Sequence, residues 1–175
     1  FFGYSVSLSG NRALIGAYKD SSLNFNAGSA YIFELNNNVW SQSKKITQPN
    51  ADEWALFGGS VSLLGNRALI GSTGDRAAYV YEYDGSDWIK SATLTAAGGH
   101  AFDRFGLSVK LDAERAIIGA YNGIVSPVND GIGAGYVFEK NGMNWSQIIK
   151  FSPMYVKPGD CFAVGVDFFG DKAFI

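Results

Sequence analysis

Residues 2–16 of this 175-residue chain read FGYSVSLSGNRALIG, and residues 57–71 read FGGSVSLLGNRALIG. The two stretches are identical at 13 of 15 positions. Residues 105–119 (FGLSVKLDAERAIIG) agree with the first stretch at 9 of 15 positions, and residues 162–175 (FAVGVDFFGDKAFI) agree at 5 of 14. Repetition of this kind indicates a chain built from copies of one structural unit.

The second half of the unit repeats as well. YIFE at residues 31–34 returns as YVYE at 79–82 and as YVFE at 136–139, and a tryptophan follows six residues after each glutamate. The spacing between the two halves is variable, at 15, 8 and 17 residues. A segment that tolerates insertion is a surface loop. We therefore predict repeats at 2–56, 57–104 and 105–161, and a truncated one at 162–175.

Each repeat contains four short segments with the patterns of β-strands. In the first repeat, serines alternate with apolar residues over 3–8, and residues 13–17 form a continuous apolar run. Two further strands are predicted at 30–35 and 39–47, separated by the turn residues of an Asn-Asn-Asn tip. No segment has helical periodicity. The sequence predicts an all-β protein of four-stranded antiparallel units, the size of β-propeller blades, in one domain over 1–175.

The composition and net charge disfavour nucleic acids and membranes as binding partners. With 47% hydrophobic and 17% charged residues the chain has enough apolar material for a core, and the net charge of −2 comes with no basic patch. We therefore expect no nucleic-acid partner. No apolar run approaches the roughly 18 residues of a membrane-spanning helix, so we expect no membrane insertion. A single cysteine, Cys161, excludes an intrachain disulfide.

The Phe-Gly pair that opens the repeat, the GNRALIGA stretch at 10–17 and the GSAYIF stretch at 28–33 resemble FG-GAP repeats. The resemblance extends over the whole chain, as three full repeats and part of a fourth. It implies a β-propeller of the integrin-α type, used for binding or adhesion in an extracellular or cell-surface setting. The proline of the family signature is absent, because Tyr18 and Tyr121 occupy its place in two repeats.

One departure from the integrin-like pattern concerns calcium. Those repeats carry an Asp-rich calcium loop between the first two strands, whereas this chain has short turns with a basic residue, such as SGNR at 9–12 and LGNR at 64–67. Calcium requires six to eight oxygen ligands on a loop that curls around it. We therefore expect no metal site and no cofactor, as in bacterial members with short turns.

The repeated aromatic and acidic residues have a structural interpretation. Phe2, Tyr31, Phe33, Trp40 and their counterparts recur at fixed spacing, which is what packing between neighbouring blades requires. A platform for stacking sugars is the alternative. Glu34, Glu82 and Glu139 are interpreted as structural residues that accept backbone or tyrosine hydrogen bonds.

Ligand-binding residues are expected on the loops, because long polar loops with aromatic residues lie on one rigid face of a propeller. The variable loops and the connections between repeats emerge at the same end of the blades, which we call the loop face. Asp20, Asn24 and Asn26, like Asn129 and Asp130, carry oxygen atoms that a cation could use. Their spacing matches no metal loop, so solvated turn residues are the favoured interpretation over a cation site. The candidates are Tyr18, Lys19, Asp20, Asn24, Phe25, Asn26, Trp54, His100, Tyr121, Asn122, Asn129 and Asp130.

No catalytic set is recognisable, since His100 is the only histidine and has no nucleophile near it in sequence. We therefore expect a non-enzymatic binding or adhesion module whose loop face contacts a protein or glycan. Two alternatives stay open: a structural scaffold of a surface assembly, and a propeller within a larger enzyme whose catalytic residues lie outside this chain. Propellers have four to eight blades, so the rest of the ring is expected from the same chain or from other subunits.

Overall fold

The computed structural model describes residues 1–98, 103–121, 132–155, 157 and 160–175. These residues form strands, turns and irregular segments, arranged as three four-stranded sheets and one two-stranded sheet. The strands are β1 (Ser5–Ser9), β2 (Arg12–Ala17), β3 (Ser29–Asn36) and β4 (Val39–Ile46); β5 (Phe57–Leu64), β6 (Arg67–Ser72), β7 (Ala77–Tyr83) and β8 (Trp88–Leu94); β9 (Arg104–Leu111), β10 (Arg115–Tyr121), β11 (Ala134–Asn141) and β12 (Asn144–Phe151); and β13 (Asp167–Phe169) and β14 (Lys172–Phe174).

Each four-stranded sheet is an antiparallel meander in which strands adjacent in sequence are adjacent in space. The predicted strands of the first repeat agree with β1 to β4 to within about two residues. The third and fourth strands of every sheet share a β-bulge at the same place, at Ile32/Phe33, Val80/Tyr81 and Val137/Phe138. A bulge increases local twist, so its repetition gives the three sheets the same shape. The all-β prediction is confirmed.

The hairpin tips use residues that accept left-handed backbone. Gly10 in the β1–β2 turn has φ of 58°, and Asn37 and Asn38 in the β3–β4 turn have φ of 50° and 63°. Two consecutive positive φ values define the type I′ turn that matches strand twist. The short β1–β2 turn leaves no long loop between these strands.

The hydrophobic core lies between sheets. One cluster joins Leu14 and Ile32 of the first sheet to Phe57, Leu63 and other residues of the second sheet. A second cluster joins Leu69 and Val80 of the second sheet to residues of the third. Every sheet therefore needs its neighbours for burial, as expected for repeat architectures.

The innermost strands of neighbouring sheets are joined by a repeated contact. The hydroxyls of Ser5, Ser60 and Ser108 donate hydrogen bonds of 2.9, 2.7 and 2.9 Å to the carbonyls of Gly58 in β5, Gly106 in β9 and Ala163 in the segment before β13. Next to each contact the preceding sheet has a glycine, namely Gly16, Gly71 and Gly119. A Cβ atom on these glycines would lie 2.0, 2.0 and 2.1 Å from the same three carbonyl oxygens.

The repeated aromatics behave as predicted where two sheets meet. Phe57 is 0% exposed and Phe105 is 1% exposed, each with its neighbouring aromatic rings. Their counterpart Phe2 is 58% exposed, because the first sheet has a neighbour on one side alone. Core packing is therefore confirmed for the second and third sheets, and the first sheet leaves the equivalent residues uncovered.

We expect Gly71→Ala to lower the free energy of unfolding by about 3 kcal/mol, because its methyl group would overlap the Gly106 carbonyl oxygen and the Ser60 hydroxyl. Urea unfolding followed by fluorescence measures the change. Gly165→Ala is the matched control, since no heavy atom of the residues that the structure describes lies within 4 Å of a Cβ at Gly165. Equal stability of the two variants would contradict the close approach of the sheets.

Candidate functional site

The loop between β2 and β3 packs against the connection between β4 and β5. The amides of Trp54, Leu56 and Phe57 donate hydrogen bonds of 2.9, 3.1 and 2.9 Å to the carbonyls of residues 25, 26 and 27. The Asn24 side-chain amide donates to the Ala51 carbonyl at 2.9 Å. The two segments therefore form one surface at one end of the sheets, which confirms that they share the loop face.

Phe25 and Trp54 form an exposed aromatic pair on this surface. Their ring centroids are 5.1 Å apart with an interplanar angle of 75°, an edge-to-face geometry. The two residues are 55% and 52% exposed. Sequence analysis named both residues, and the structure places them in contact.

The backbone under Trp54 is held from both sides. Trp54 and Leu56 have φ of 65° and 59°, a conformation that is strained for bulky residues. On the side of the second sheet, the Gly74 amide donates to the Ala55 carbonyl at 2.9 Å, and the Ser72 hydroxyl oxygen lies 2.8 Å from the same carbonyl oxygen. A Cβ atom on Gly74 would lie 1.9 Å from the Trp54 carbonyl oxygen. The indole is thus displayed on a backbone that both sheets fix.

Tyr18 and Lys19 belong to a second aromatic group. Tyr18 contacts Tyr4 and Phe1, with centroid distances of 4.2 and 5.6 Å, and the Lys19 ammonium lies 5.0 Å from the Phe1 ring centroid. Sequence analysis missed Phe1 and Tyr4. The signal was available in the antiparallel pairing of β1 with β2, which brings the start of one strand beside the end of the other.

The Asp20 side chain holds the first loop in place through hydrogen bonds and an ion pair within its own repeat. Its carboxylate accepts hydrogen bonds from the Ser29 hydroxyl at 2.7 Å and the Tyr31 hydroxyl at 2.8 Å, and it pairs with the Lys45 ammonium at 2.8 Å. The Ser22 amide donates to its other oxygen at 2.8 Å. Burial alone would raise the pKa of Asp20, but these donors outweigh it and hold the pKa far below its usual value.

The second sheet repeats this arrangement with Asp75. Its carboxylate accepts from the Ser72 hydroxyl at 2.8 Å and from the Tyr79 hydroxyl at 3.0 Å. Burial, together with the Asp75 charge and hydrogen bond, raises the pKa of Tyr79 to about 12. The equivalent hydroxyl of Tyr136 in the third sheet is buried and has no hydrogen-bond partner among the described residues. Burial with the charge of Asp103 raises its pKa to about 12.

The remaining candidates have different settings. Asn26 is buried, and its backbone amide donates to the Ser21 hydroxyl at 2.9 Å. Tyr121 ends β10, and a hydrogen bond with the Cys161 thiol raises its pKa. The candidates His100, Asn122, Asn129 and Asp130 lie outside the described residues. No measurement tests the ligand-binding role of any candidate, so that role stays a prediction.

The repeated glutamates have a different partner from the one predicted. Glu34 pairs with Arg12 at 2.8 Å and Glu82 with Arg67 at 3.1 Å, in both cases across neighbouring strands. Glu139 occupies the same register opposite Arg115, although Arg115 binds the Asp112 carboxylate. The prediction of backbone or tyrosine donors was wrong for Glu34 and Glu82. The arginine of each short turn pairs with the glutamate instead.

The same arginines connect the sheets at the end opposite the loop face. The Arg12 side chain donates to the Asn66 amide oxygen at 2.6 Å, and its guanidinium carbon lies 4.3 Å from the Tyr83 ring centroid. Arg67 donates to the Ala113 carbonyl, and Arg115 donates to the Gly170 carbonyl at 2.7 Å. The turn arginine therefore links each sheet to the next one.

Over the described part of the chain, no group of three or more His, Cys, Asp and Glu side chains is arranged to hold a metal ion. The same residues contain no helix long and apolar enough to span a membrane.

The four-stranded meanders packed side by side define blades of a β-propeller. A family model described as FG-GAP repeat matches residues 1–33, 40–81 and 88–138, so the chain belongs to the FG-GAP repeat family. These matches include most of the first three predicted repeats.

Solved structures similar to the chain are β-propeller proteins. One is described as KlHsv2 with loop 6CD replaced by a Gly-Ser linker, with a TM-score of 0.54, 11% identity, and coverage of 98% of this chain and 43% of that one. Another is a europium-containing methanol dehydrogenase, with a TM-score of 0.57, 8% identity, and coverage of 87% and 26%. The chain thus spans less than half of either. No curated protein matches the chain in sequence.

We expect the stabilising effect of Asp20 to depend on pH. A carboxyl whose pKa is depressed by folding stabilises the protein above its unfolded pKa of about 3.9, and this contribution is lost as pH falls towards the folded value. Asp20→Asn should therefore cost about 1–3 kcal/mol at pH 7, and the cost should shrink below about pH 4.

Urea unfolding of the two proteins between pH 7 and pH 2.5, roughly the range over which carboxylates titrate, measures this dependence. Glu53→Gln is the control, because Glu53 is exposed in the connection between β4 and β5, and its effect should stay within about 0.5 kcal/mol. A cost for Asp20→Asn that is independent of pH would contradict a charge-dependent role.

Proposed function

We propose that this chain is a non-enzymatic binding module, extracellular or on a cell surface, whose loop face binds a protein or glycan partner. The observation that carries the proposal is the exposed pair of Phe25 and Trp54 on a fixed backbone. Aromatic side chains supply large contact areas and stack on sugar rings or on apolar protein side chains. The extracellular setting follows from the resemblance to adhesion-type FG-GAP repeats.

Preorganisation supports binding rather than a purely architectural role for this pair. An indole already held in place loses little conformational freedom when a partner binds, so more of the contact energy appears as affinity. The positive φ of Trp54 costs free energy that the fold must supply, and such strain is concentrated at functional sites.

Two rival functions differ from the proposal in their consequences. A structural scaffold would keep all of its interactions when the exposed aromatics of the loop face are removed. A propeller within a larger enzyme would place reacting residues outside this chain. The similarity to a methanol dehydrogenase at 8% identity concerns the fold alone and does not favour the second rival.

We expect Trp54→Ala to weaken partner binding by at least about tenfold, and Phe25→Ala to weaken it less, because a central aromatic contact contributes about 2 kcal/mol. An array of immobilised oligosaccharides and an array of purified extracellular proteins supply the partner candidates. Phe169→Ala is the matched control, since this exposed aromatic lies beside the β13–β14 turn at the opposite end of the sheets. Binding that survives both loop-face substitutions, or its absence on both arrays, would refute the proposal.

We further propose that the module works without a resident cation. Thermal unfolding in millimolar calcium and in excess chelator should then give the same midpoint, because an ion bound to the native state alone would raise it. A midpoint several degrees higher in calcium would identify an ion site and reject this part of the proposal.

A further inference from the structure

A cavity of about 310 Å³ lies in the crevice between the first and second sheets. The connection that follows β4 forms one wall, and strands β7 and β8 form the other. Its volume is at the lower end of the range of pockets that bind small molecules, about 300–1,000 Å³. Both sheets therefore contribute to one small pocket, whose lining residues are Thr47, Gln48, Pro49, Asn50, Tyr81 and Lys90.

The equivalent crevice between the second and third sheets is closed by a side chain. Gln147 accepts a hydrogen bond from the Ala97 amide at 2.8 Å and donates one to the Ala97 carbonyl at 3.5 Å. Lys90 has the register position of Gln147, in each case opposite the residue that follows the bulge. Pro49 stands three residues after β4, as Ala97 stands three residues after β8. Because proline has no backbone N–H, this bridge cannot form in the first crevice.

Two further positions of the first crevice are polar where the second crevice is apolar. Gln48 stands in the place of Ala96, and Tyr81 stands in the place of Phe138. Ala96 packs against the core between the second and third sheets, and Phe138 belongs to that core. Apolar residues at both positions are therefore sufficient for the packing of neighbouring sheets, and the polar groups of the first crevice are additions to it.

The Gln48 side chain leaves an acceptor without a donor. The Tyr79 hydroxyl donates its proton to Asp75 at 3.0 Å, and it also forms a hydrogen bond with Gln48. Since that proton is already used, Gln48 must be the donor to Tyr79, through Nε2. Its Oε1 is buried and has no hydrogen-bond partner among the described residues. A buried acceptor of this kind is destabilising, so a ligand hydroxyl that donates to it gains a favourable contact.

Lys90 supplies a positive charge at the same cavity. Among the described residues that line the cavity, Lys90 alone is charged. Its side chain is exposed, its ammonium lies 5.5 Å from the Tyr79 ring centroid, and no ion pair within the described part of the chain includes it. Burial raises the pKa of Tyr81 to about 12, so Tyr81 adds no negative charge at neutral pH.

We propose that this cavity binds a sugar acid, with the ligand carboxylate on the Lys90 ammonium and a ligand hydroxyl donating to Gln48 Oε1. A phosphate fits less well, because it brings about two negative charges to a single ammonium. A ligand ammonium fits less well too, because no carboxylate lines the described cavity to balance it. The site uses neither Phe25 nor Trp54 and is therefore independent of the ligand proposed for the loop face.

The test titrates the isotope-labelled chain with galacturonate at constant ionic strength and follows the amide chemical shifts by NMR. We expect saturable shifts of the Gln48, Tyr81 and Lys90 amides, with a dissociation constant of about 1–10 mM. Galactose lacks the carboxylate and acetate lacks the hydroxyls. Each should bind at least about tenfold more weakly, because each loses one of the two contacts.

Two variants remove the two contacts separately. Lys90→Gln and Gln48→Ala introduce the residues that the chain itself has in the equivalent crevice, so we expect both variants to fold. Each should weaken galacturonate binding at least about tenfold, and Lys90→Gln should also abolish the preference for galacturonate over galactose. Lys172→Gln is the matched control, since Lys172 is an exposed cation on β14, and it should change the affinity by less than about twofold.

Trigalacturonate distinguishes two sources of the ligand, and both are consistent with the proposal. An affinity equal to that of galacturonate would identify a free sugar acid as the ligand. An affinity at least about tenfold higher would identify an acidic polysaccharide, whose neighbouring units make further contacts outside the cavity.

Three results would overturn the proposal. One is the absence of saturable shifts at Gln48, Tyr81 and Lys90 up to about 50 mM galacturonate. Another is equal affinity for galactose and galacturonate in the unmodified chain. The third is unchanged galacturonate affinity in folded Lys90→Gln or Gln48→Ala, or an equal loss in Lys172→Gln, which would mean that binding does not depend on this cavity.

Discussion

The close approach of one sheet's backbone to the next is the constraint on which the rest of the structure depends. Gly16, Gly71 and Gly119 each face a carbonyl of the following sheet at a distance that no Cβ atom permits. The serine opposite each glycine donates its hydroxyl to that same carbonyl. The glycine, which has no side chain, and the serine hydroxyl therefore fix both the separation and the register of the inner strands. The positions of the outer strands are then set by the meander that connects them to the inner ones.

Burial follows from this spacing. Because the inner strands are fixed, the apolar residues of one sheet meet the aromatic cluster on the facing side of the next sheet, and the two hydrophobic clusters form between sheets. At the end opposite the loop face, the turn arginines add a second link between sheets. Stability is thus a property of pairs of sheets, which is the nearest-neighbour behaviour of repeat proteins.

Sequence periodicity predicted the features that each repeat specifies for itself. The strands, the turns with left-handed residues and the joint loop face follow from local alternation, turn chemistry and fixed spacing, and the structure agrees with them. Contacts across the register of two sheets were not predictable in this way. The link from Arg12 to Asn66 and the contact of the Arg12 guanidinium with the Tyr83 ring depend on which residues the packing brings together. His100 and Asn129 lie outside the described residues.

On the loop face, polar residues hold the loop in place, and aromatic residues remain exposed to a partner. The Asp20 carboxylate meets four donors from its own sheet, and Asn24 bonds the neighbouring connection, so these polar side chains hold the loop in place. Phe25 and Trp54, fixed by that framework, retain about half of their surface for a partner. Since the charged group is already neutralised internally, we expect recognition at this face to rest on stacking and apolar contact. Any salt dependence of the affinity should come from exposed charges beside the pair, such as Glu53, because screening acts on exposed charges.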